Sequence, residues 1–180
     1  MTLDTQSLVW LLPICFIIHD FEEIVSWEAW MARNGAELVR RVPPALSSLA
    51  NEFVKKSTAQ VSLVVFLIFS VTATSAFLAA TTGYYPLFLA LMSMFFLHGF
   101  GHLGQAIILR RYVPGLVTSG LVVIPYGVFA SVRVLSEHIV DLTALLEFYI
   151  AGVVLMLPFI LLMHKAGDYL YPRAIRLLNL

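Results

Sequence analysis

The chain has 180 residues, of which 60% are hydrophobic and 12% are charged, and its formal net charge is zero at neutral pH. A mean hydropathy of +0.89 excludes a soluble domain and indicates one transmembrane helical domain over residues 1–180. The few basic residues lie in short connecting segments, which excludes a nucleic-acid-binding surface. The single cysteine, Cys15, excludes an intrachain disulfide and a thiolate metal cluster.

The first predicted span covers residues 7–25 and ends in a run of ionisable residues. Its apolar part, residues 8–18, is too short to cross about 30 Å of hydrocarbon. It crosses only if the helix continues through the sequence His-Asp-Phe-Glu-Glu at residues 19–23. The alternative is that the span ends at His19 and leaves the acidic residues among the lipid headgroups.

The run at residues 19–23 predicts a metal site. Ionisable residues that adjoin hydrocarbon are costly unless they bind something. In a helix His19, Glu22 and Glu23 occupy positions i, i+3 and i+4 and share one face. An imidazole beside two carboxylates suits a divalent metal, or pairs a ligand with a general base.

The segment 26–58 differs in composition from the rest of the chain. It carries several basic residues, an Asn-Gly pair at 34–35 that predicts a break, and two consecutive prolines. Apolar residues recur at helical spacing over residues 44–56, which predicts an amphipathic helix on the cytoplasmic membrane surface. The alternative is an ordinary loop helix packed on the bundle.

Four further spans follow, and together with the first they predict an all-α bundle of about five transmembrane helices. In this arrangement every basic residue except Arg133 falls on one side of the membrane. The positive-inside rule then places the carboxyl terminus in the cytoplasm and the amino terminus outside. The four further spans cover residues 59–81, 85–109, 115–132 and 143–163.

A second group of polar residues lies in the third span. His98 and His102 are four residues apart, which is the spacing at which two histidines of one helix bind one metal ion. Gln105 continues the same stripe, and nearby glycines allow a neighbouring helix to approach closely. The alternative is a packing seam across which the histidines form hydrogen bonds.

The two groups are predicted to form one site. The first and third spans run in the same direction, and both groups lie toward the cytoplasmic ends of their spans. If the two groups face one another, their polar side chains stay out of the lipid. The predicted metal ligands are His19, Glu22, Glu23, His98 and His102.

A histidine, two intervening positions and a glutamate pair near the amino terminus of a small multi-span membrane protein resemble the HXXEE family. That family is named for this motif and its function is unknown. The specific part of the resemblance is residues 19–23. It implies that His19, Glu22 and Glu23 matter for the activity of the family.

The predicted function is a metal-dependent membrane enzyme, with one of Glu22 and Glu23 as a metal ligand and the other as general base. With zinc it would hydrolyse a lipid-like or otherwise amphipathic substrate that enters between helices. With two irons it would be an oxidase or oxygenase. Di-iron bundles use four carboxylates and two histidines, whereas only two carboxylates are well placed here, which favours the hydrolase.

Two non-enzymatic functions remain open on the sequence alone. A metal transporter of this size would have to form a homo-oligomer, and it would need a polar path to the outer face. The outer halves of the first and third spans, residues 8–18 and 85–97, are almost wholly apolar and offer little such path. A scaffold would use the same polar residues only to hold its helices together.

Overall fold

The computed structural model describes residues 4–179, and the regular secondary structure of that range is entirely helical. A 3-10 turn, Pro44–Leu46, precedes α2, and a π-helical turn, Ser119–Val123, joins α5 to α6. The prediction of an all-α fold is confirmed. The helices are α1 (Thr5–Arg41), α2 (Ser47–Val54), α3 (Thr58–Thr82), α4 (Pro86–Leu109), α5 (Leu116–Thr118), α6 (Ile124–Ser136) and α7 (Leu142–Leu177).

Four helical segments of the described range are long and apolar enough to cross a membrane. They are α3, α4, the continuous segment Leu116–Ser136, and α7. Their outward surfaces remain apolar; on α7, for example, Ile150, Val153 and Leu157 are all more than 60% exposed. Such surfaces suit contact with lipid rather than water. The ionisable residues at 19–23 interrupt the apolar run of α1, which is not among the four.

Helix α1 is longer than the sequence predicted. Asp4 caps its first turn by accepting a hydrogen bond from the Ser7 N–H at 2.7 Å. The helix then continues through the expected break at Asn34 and Gly35, reaching about 55 Å at 1.5 Å per residue. Gly35 lies against the side chain of Val54 in α2, where a Cβ atom would clash. Close packing, rather than a helix end, therefore explains this glycine.

Helix α7 also extends beyond its predicted span, which ended at residue 163. It continues to Leu177 and so includes most of the residues that follow the predicted span. Asp168, in this added part, forms an ion pair with Lys56 just after α2. The added turns of α7 therefore hold the α2 region against the bundle.

Two tryptophans of α1 fix neighbouring segments to it. The Trp27 indole N–H donates to the carbonyl of Lys56, and the Trp30 indole N–H donates to the carbonyl of Tyr112, both at 2.8 Å. Helix α1 packs mainly on α3, and α4 packs on α6 and α7. This arrangement places α1 next to α4 and to the loop that follows α4. The fully buried apolar residues around this contact are Leu8, Leu12, Phe88, Leu89 and Met92.

Candidate metal site and its cavity

Four of the five predicted ligand residues converge between α1 and α4. His19 and Glu23 are one helical turn apart on α1, and His98 and His102 are one turn apart on α4. Residues at this spacing share a helix face, so two facing helices bring the four side chains together. One nitrogen or oxygen atom from each lies within 4.8 Å of the other three. We call these four residues the His/Glu cluster.

Glu23 is the centre of the cluster. Its Oε1 lies 2.8 Å from His102 Nε2, and 3.5 and 3.6 Å from the Nε2 atoms of His98 and His19. The Nε2 atoms of His98 and His102 are themselves 2.8 Å apart. Donor atoms around one tetrahedral zinc ion lie about 3.3–3.5 Å apart, as bond lengths of about 2.0–2.1 Å require. Small side-chain adjustments would therefore let the cluster hold one ion.

The hydrogen bonds of His19 leave one ring nitrogen free for a ligand. His19 Nδ1 lies 2.9 Å from the hydroxyl oxygen of Thr118, and that hydroxyl donates to Glu22 Oε2 at 2.6 Å. Since the single hydroxyl hydrogen is used, Nδ1 must donate its own hydrogen to Thr118. Nε2 of the neutral ring is then unprotonated, and it is buried without a hydrogen-bond partner among residues 4–179. Metal-binding histidines are commonly held in this way.

Glu22, the fifth predicted ligand, lies outside the cluster. Its Oε1 accepts hydrogen bonds from the Tyr112 hydroxyl at 2.8 Å and the Val117 N–H at 3.2 Å, and its Oε2 also accepts from the Thr118 N–H at 2.7 Å. Burial, followed by the hydrogen bond to Glu22, raises the pKa of Tyr112, so this hydroxyl stays protonated at neutral pH. Glu22 thus fixes the segment that supports His19.

The loop between α4 and α5 covers the cluster at Gly115. This residue has φ +81°, a conformation that glycine adopts without steric cost. A Cβ atom here would lie 2.8 Å from His19 Cε1, 2.9 Å from Glu23 Oε1 and 3.0 Å from His102 Cε1. Only a residue without a side chain lets the backbone approach the cluster this closely.

The cluster adjoins a cavity of about 520 Å³. Glu23, His98 and His102 lie in its wall, whereas Glu22 does not. The volume is in the range of about 300–1,000 Å³ that is typical of small-molecule sites. Most of the wall is apolar, including Leu12, Phe16, Val61, Val65, Leu91 and Phe159.

Helix α2 contributes Phe53 to the cavity wall. The Phe53 ring lies edge-on between Trp27 and His164, with ring centroids 4.9 and 5.0 Å away. The cavity is therefore bordered both by the His/Glu cluster and by the α2 region.

Three residues of this region were not predicted from the sequence. Thr118 gave no signal, because threonine is common in this chain and its contact with His19 spans 99 positions. Gly115 was one glycine among ten. Asp20 had a signal, since it belongs to the ionisable run and lies three residues from Glu23, but it was not among the predicted ligands. Its side chain is buried and lies in the cavity wall.

Comparison with known proteins gives a family match. A family model described as "Protein of unknown function with HXXEE motif" matches residues 10–130. The matched range contains both the motif at residues 19–23 and the two histidines of α4. No curated protein and no solved structure matches the chain.

Proposed function

This chain belongs to the HXXEE-motif family, whose function is unknown, and we propose that it is a metal-dependent integral-membrane enzyme acting on a lipid-like or amphipathic substrate. One observation carries the proposal: the His/Glu cluster lies at the wall of an apolar cavity of about 520 Å³. A polar reactive centre beside an apolar cavity suits a molecule with a reactive polar group and a hydrocarbon part.

The proposed metal ligands are His19, Glu23, His98 and His102. Three imidazole nitrogens and one carboxylate oxygen form a set that zinc and iron both accept. When bound, the divalent ion would supply a Lewis acid that polarises the substrate. The ring of His19 is already held in the tautomer that presents Nε2 to the cluster, which supports the assignment.

The two glutamates have different roles in this proposal. Glu23 contacts three imidazoles and lies in the cavity wall, so it is the glutamate that can meet a substrate. Glu22 orients His19 through Thr118 and is a positioning residue. The cluster has one carboxylate, whereas ferritin-like di-iron sites use four with two histidines. We therefore favour a zinc hydrolase over a di-iron oxidase.

The proposed membrane arrangement adds α1 as a fifth span, crossing over residues 7–25. The short helix α2 would lie at the cytoplasmic face, with the carboxyl terminus on the same side, as the positive-inside rule predicts. Single cysteines at Thr5 and Ser48, in a Cys15→Ser background, test this arrangement on intact cells. An impermeant thiol reagent should label the cysteine at position 5 only. Labelling at position 48 alone would overturn it.

Metal analysis of the purified protein tests the function most directly. We expect about one zinc ion per chain in wild type and little in a His102→Ala variant. Membrane lipid extract should then be incubated with each protein and examined by mass spectrometry. Cleavage products that form only with wild type would support a hydrolase. Wild type without bound metal, or metal-loaded wild type that leaves every lipid intact, would contradict the proposal.

A metal transporter is the less favoured function. The cavity wall is mainly apolar, and passage of an ion would require a line of polar groups. Uptake of radioactive zinc into proteoliposomes containing the purified protein would distinguish the two functions, because an enzyme would leave the vesicle interior unchanged.

A further inference from the structure

Asp20 is a buried acidic residue that the proposed metal site does not use. It follows His19 on α1, and only 6% of its surface is exposed. Its side chain lies in the wall of the cavity that adjoins the His/Glu cluster. None of residues 4–179 donates a hydrogen bond to it, whereas its neighbour Glu22 accepts four.

A buried carboxyl group without a partner is unfavourable, because it has lost its water and gained no replacement. Native proteins satisfy most such groups with protein, water or a ligand. Here the open space next to the group is the cavity, so a molecule in the cavity is the partner that the fold leaves room for. The apolar wall indicates that most of this molecule is hydrocarbon.

We propose that Asp20 binds a hydrogen-bond-donating head group, a hydroxyl or an amine, of an amphipathic molecule whose hydrocarbon part fills the cavity. This inference rests on the proposed function and names the substrate class of the same site. Asp20 and Glu23 are three residues apart on one helix, where Cβ atoms lie about 5–6 Å apart. A head group held by Asp20 therefore lies beside the cluster.

Other polar groups in the cavity wall are less suited to this role. The Thr72 hydroxyl already donates to the carbonyl of Ile68 at 2.9 Å. The His164 ring packs against Phe53 of α2 and carries no negative charge to attract a donor head group. Gln105 follows the cluster on α4, but it is exposed rather than buried, so the fold does not require the cavity to supply a partner for it. Asp20 alone combines a carboxyl group, burial and proximity to Glu23.

Tryptophan fluorescence can report binding in the cavity. Trp27 and Trp30 lie in its wall, and bromine quenches tryptophan on contact. Trp10, the third tryptophan, is 42% exposed on the outer surface, so a Trp10→Phe background removes its signal. The probes are a long-chain alkanol with bromine on its terminal carbon, the matching alkylamine, and the methyl ether of that alkanol. The ether keeps the oxygen but cannot donate a hydrogen bond.

We expect the alkanol or the alkylamine to quench at about tenfold lower concentration than the ether, equivalent to about 1.4 kcal/mol. Preference for the alkanol alone would indicate hydroxyl lipids, and preference for the alkylamine alone would indicate amine lipids. Equal quenching by all three probes in wild type would overturn the proposal, and this comparison needs no variant that has to fold.

Two variants then test whether Asp20 is the residue that causes the preference for the donor probes. Asp20→Leu should bind the three probes equally, whereas Thr72→Val, a matched change of another cavity residue, should keep the preference of wild type. Retention of the preference in Asp20→Leu, or its loss in Thr72→Val, would contradict the assignment to Asp20.

Repeating the measurement after removal of metal with a chelator separates the two proposals. If the protein binds no metal but still prefers the donor probes through Asp20, the proposed enzyme is wrong and the head-group site stands. If metal binds and the probes are not distinguished, the head-group site is wrong and the metal site stands.

Discussion

The two halves of the His/Glu cluster are held in different ways. On α1, His19 is fully buried, and Thr118 and Glu22 fix the orientation of its ring through successive hydrogen bonds. On α4, His98 and His102 contact each other and Glu23, and the buried Nδ1 of His102 has no partner among the described residues. One half is therefore oriented by hydrogen bonds to residues outside the cluster, whereas the polar contacts of the other half lie within the cluster itself.

This difference separates two kinds of contribution to metal binding. Removing a side chain of the α4 half removes a donor atom. Removing a hydrogen bond behind the α1 half leaves every donor atom present but frees the ring of His19 to rotate. The first kind of change should abolish binding, and the second should weaken it.

The largest expected effect is that of His102→Ala. Loss of this donor should abolish metal binding, because His102 Nε2 makes the shortest contact with Glu23. An ion present at about 100 times its Kd adds about 2.7 kcal/mol to the free energy of unfolding, and this stabilisation should disappear. Metal analysis and thermal unfolding with added zinc measure both effects. His138→Asn, a histidine change in a distant loop, should leave both values as in wild type.

The next largest effect on metal binding is expected from changes of the two glutamates, Glu22 and Glu23. Glu23→Gln removes the charge that faces three imidazoles, so we expect nearly complete loss of metal. Glu22→Gln keeps all four cluster residues and weakens only the support of His19, so part of the metal should remain. Zinc titration of the two purified variants gives the comparison. Equal loss in both would show that Glu22 is itself a ligand and that the division of roles is wrong.

A smaller effect is expected from Thr118→Val, which has nearly the same shape but no hydroxyl. The His19 Nδ1–H then loses its acceptor, and changes of this kind lower metal affinity by about 10–100-fold. Thr118→Ser keeps the hydroxyl and should bind metal as wild type does. Competition with a chelator of known affinity measures the three Kd values. Unchanged affinity in Thr118→Val would mean that the α1 half needs no such support.

The smallest effect on metal affinity is expected from Gly115→Ala, whose added methyl group contacts both halves of the cluster. Gly83→Ala is the matched control, since Gly83 also has a positive φ, +71°, but nothing lies within 4 Å of its added Cβ. Both variants should lose about 1–2 kcal/mol of stability from the left-handed conformation. Only Gly115→Ala should lose more and bind metal several-fold more weakly. Equal melting points for the two variants would contradict the close approach at Gly115.

Much of the cluster could be predicted from residue spacing. His19 with Glu23, and His98 with His102, are pairs at i, i+4, and a helix brings such pairs to one face whatever surrounds them. The position of Glu22 could not be predicted in this way. At i+3 from His19 it also lies near that face, and its partner Thr118 is 96 positions away. Contacts between residues so far apart in sequence depend on the packing of the whole bundle.

The fold was predictable to a similar extent. Long apolar runs predicted α3, α4, the segment Leu116–Ser136 and α7, and the structure has a helix at each. The pair Asn34 and Gly35 predicted a break that does not occur, because local preferences are weaker than tertiary packing. The crossing of the membrane by α1 stays a prediction.

The two tryptophan hydrogen bonds have a consequence for motion. Trp27 and Trp30 are one turn apart on α1, yet they hold two segments that are remote from each other in sequence, the end of α2 at Lys56 and the loop at Tyr112. Both segments border the cavity, and α1 also carries His19 and Glu23. A displacement of this part of α1 would shift both borders and half of the cluster in one step. These two segments and the His/Glu cluster therefore form a single cooperative unit, and amide hydrogen exchange should detect it as one opening event.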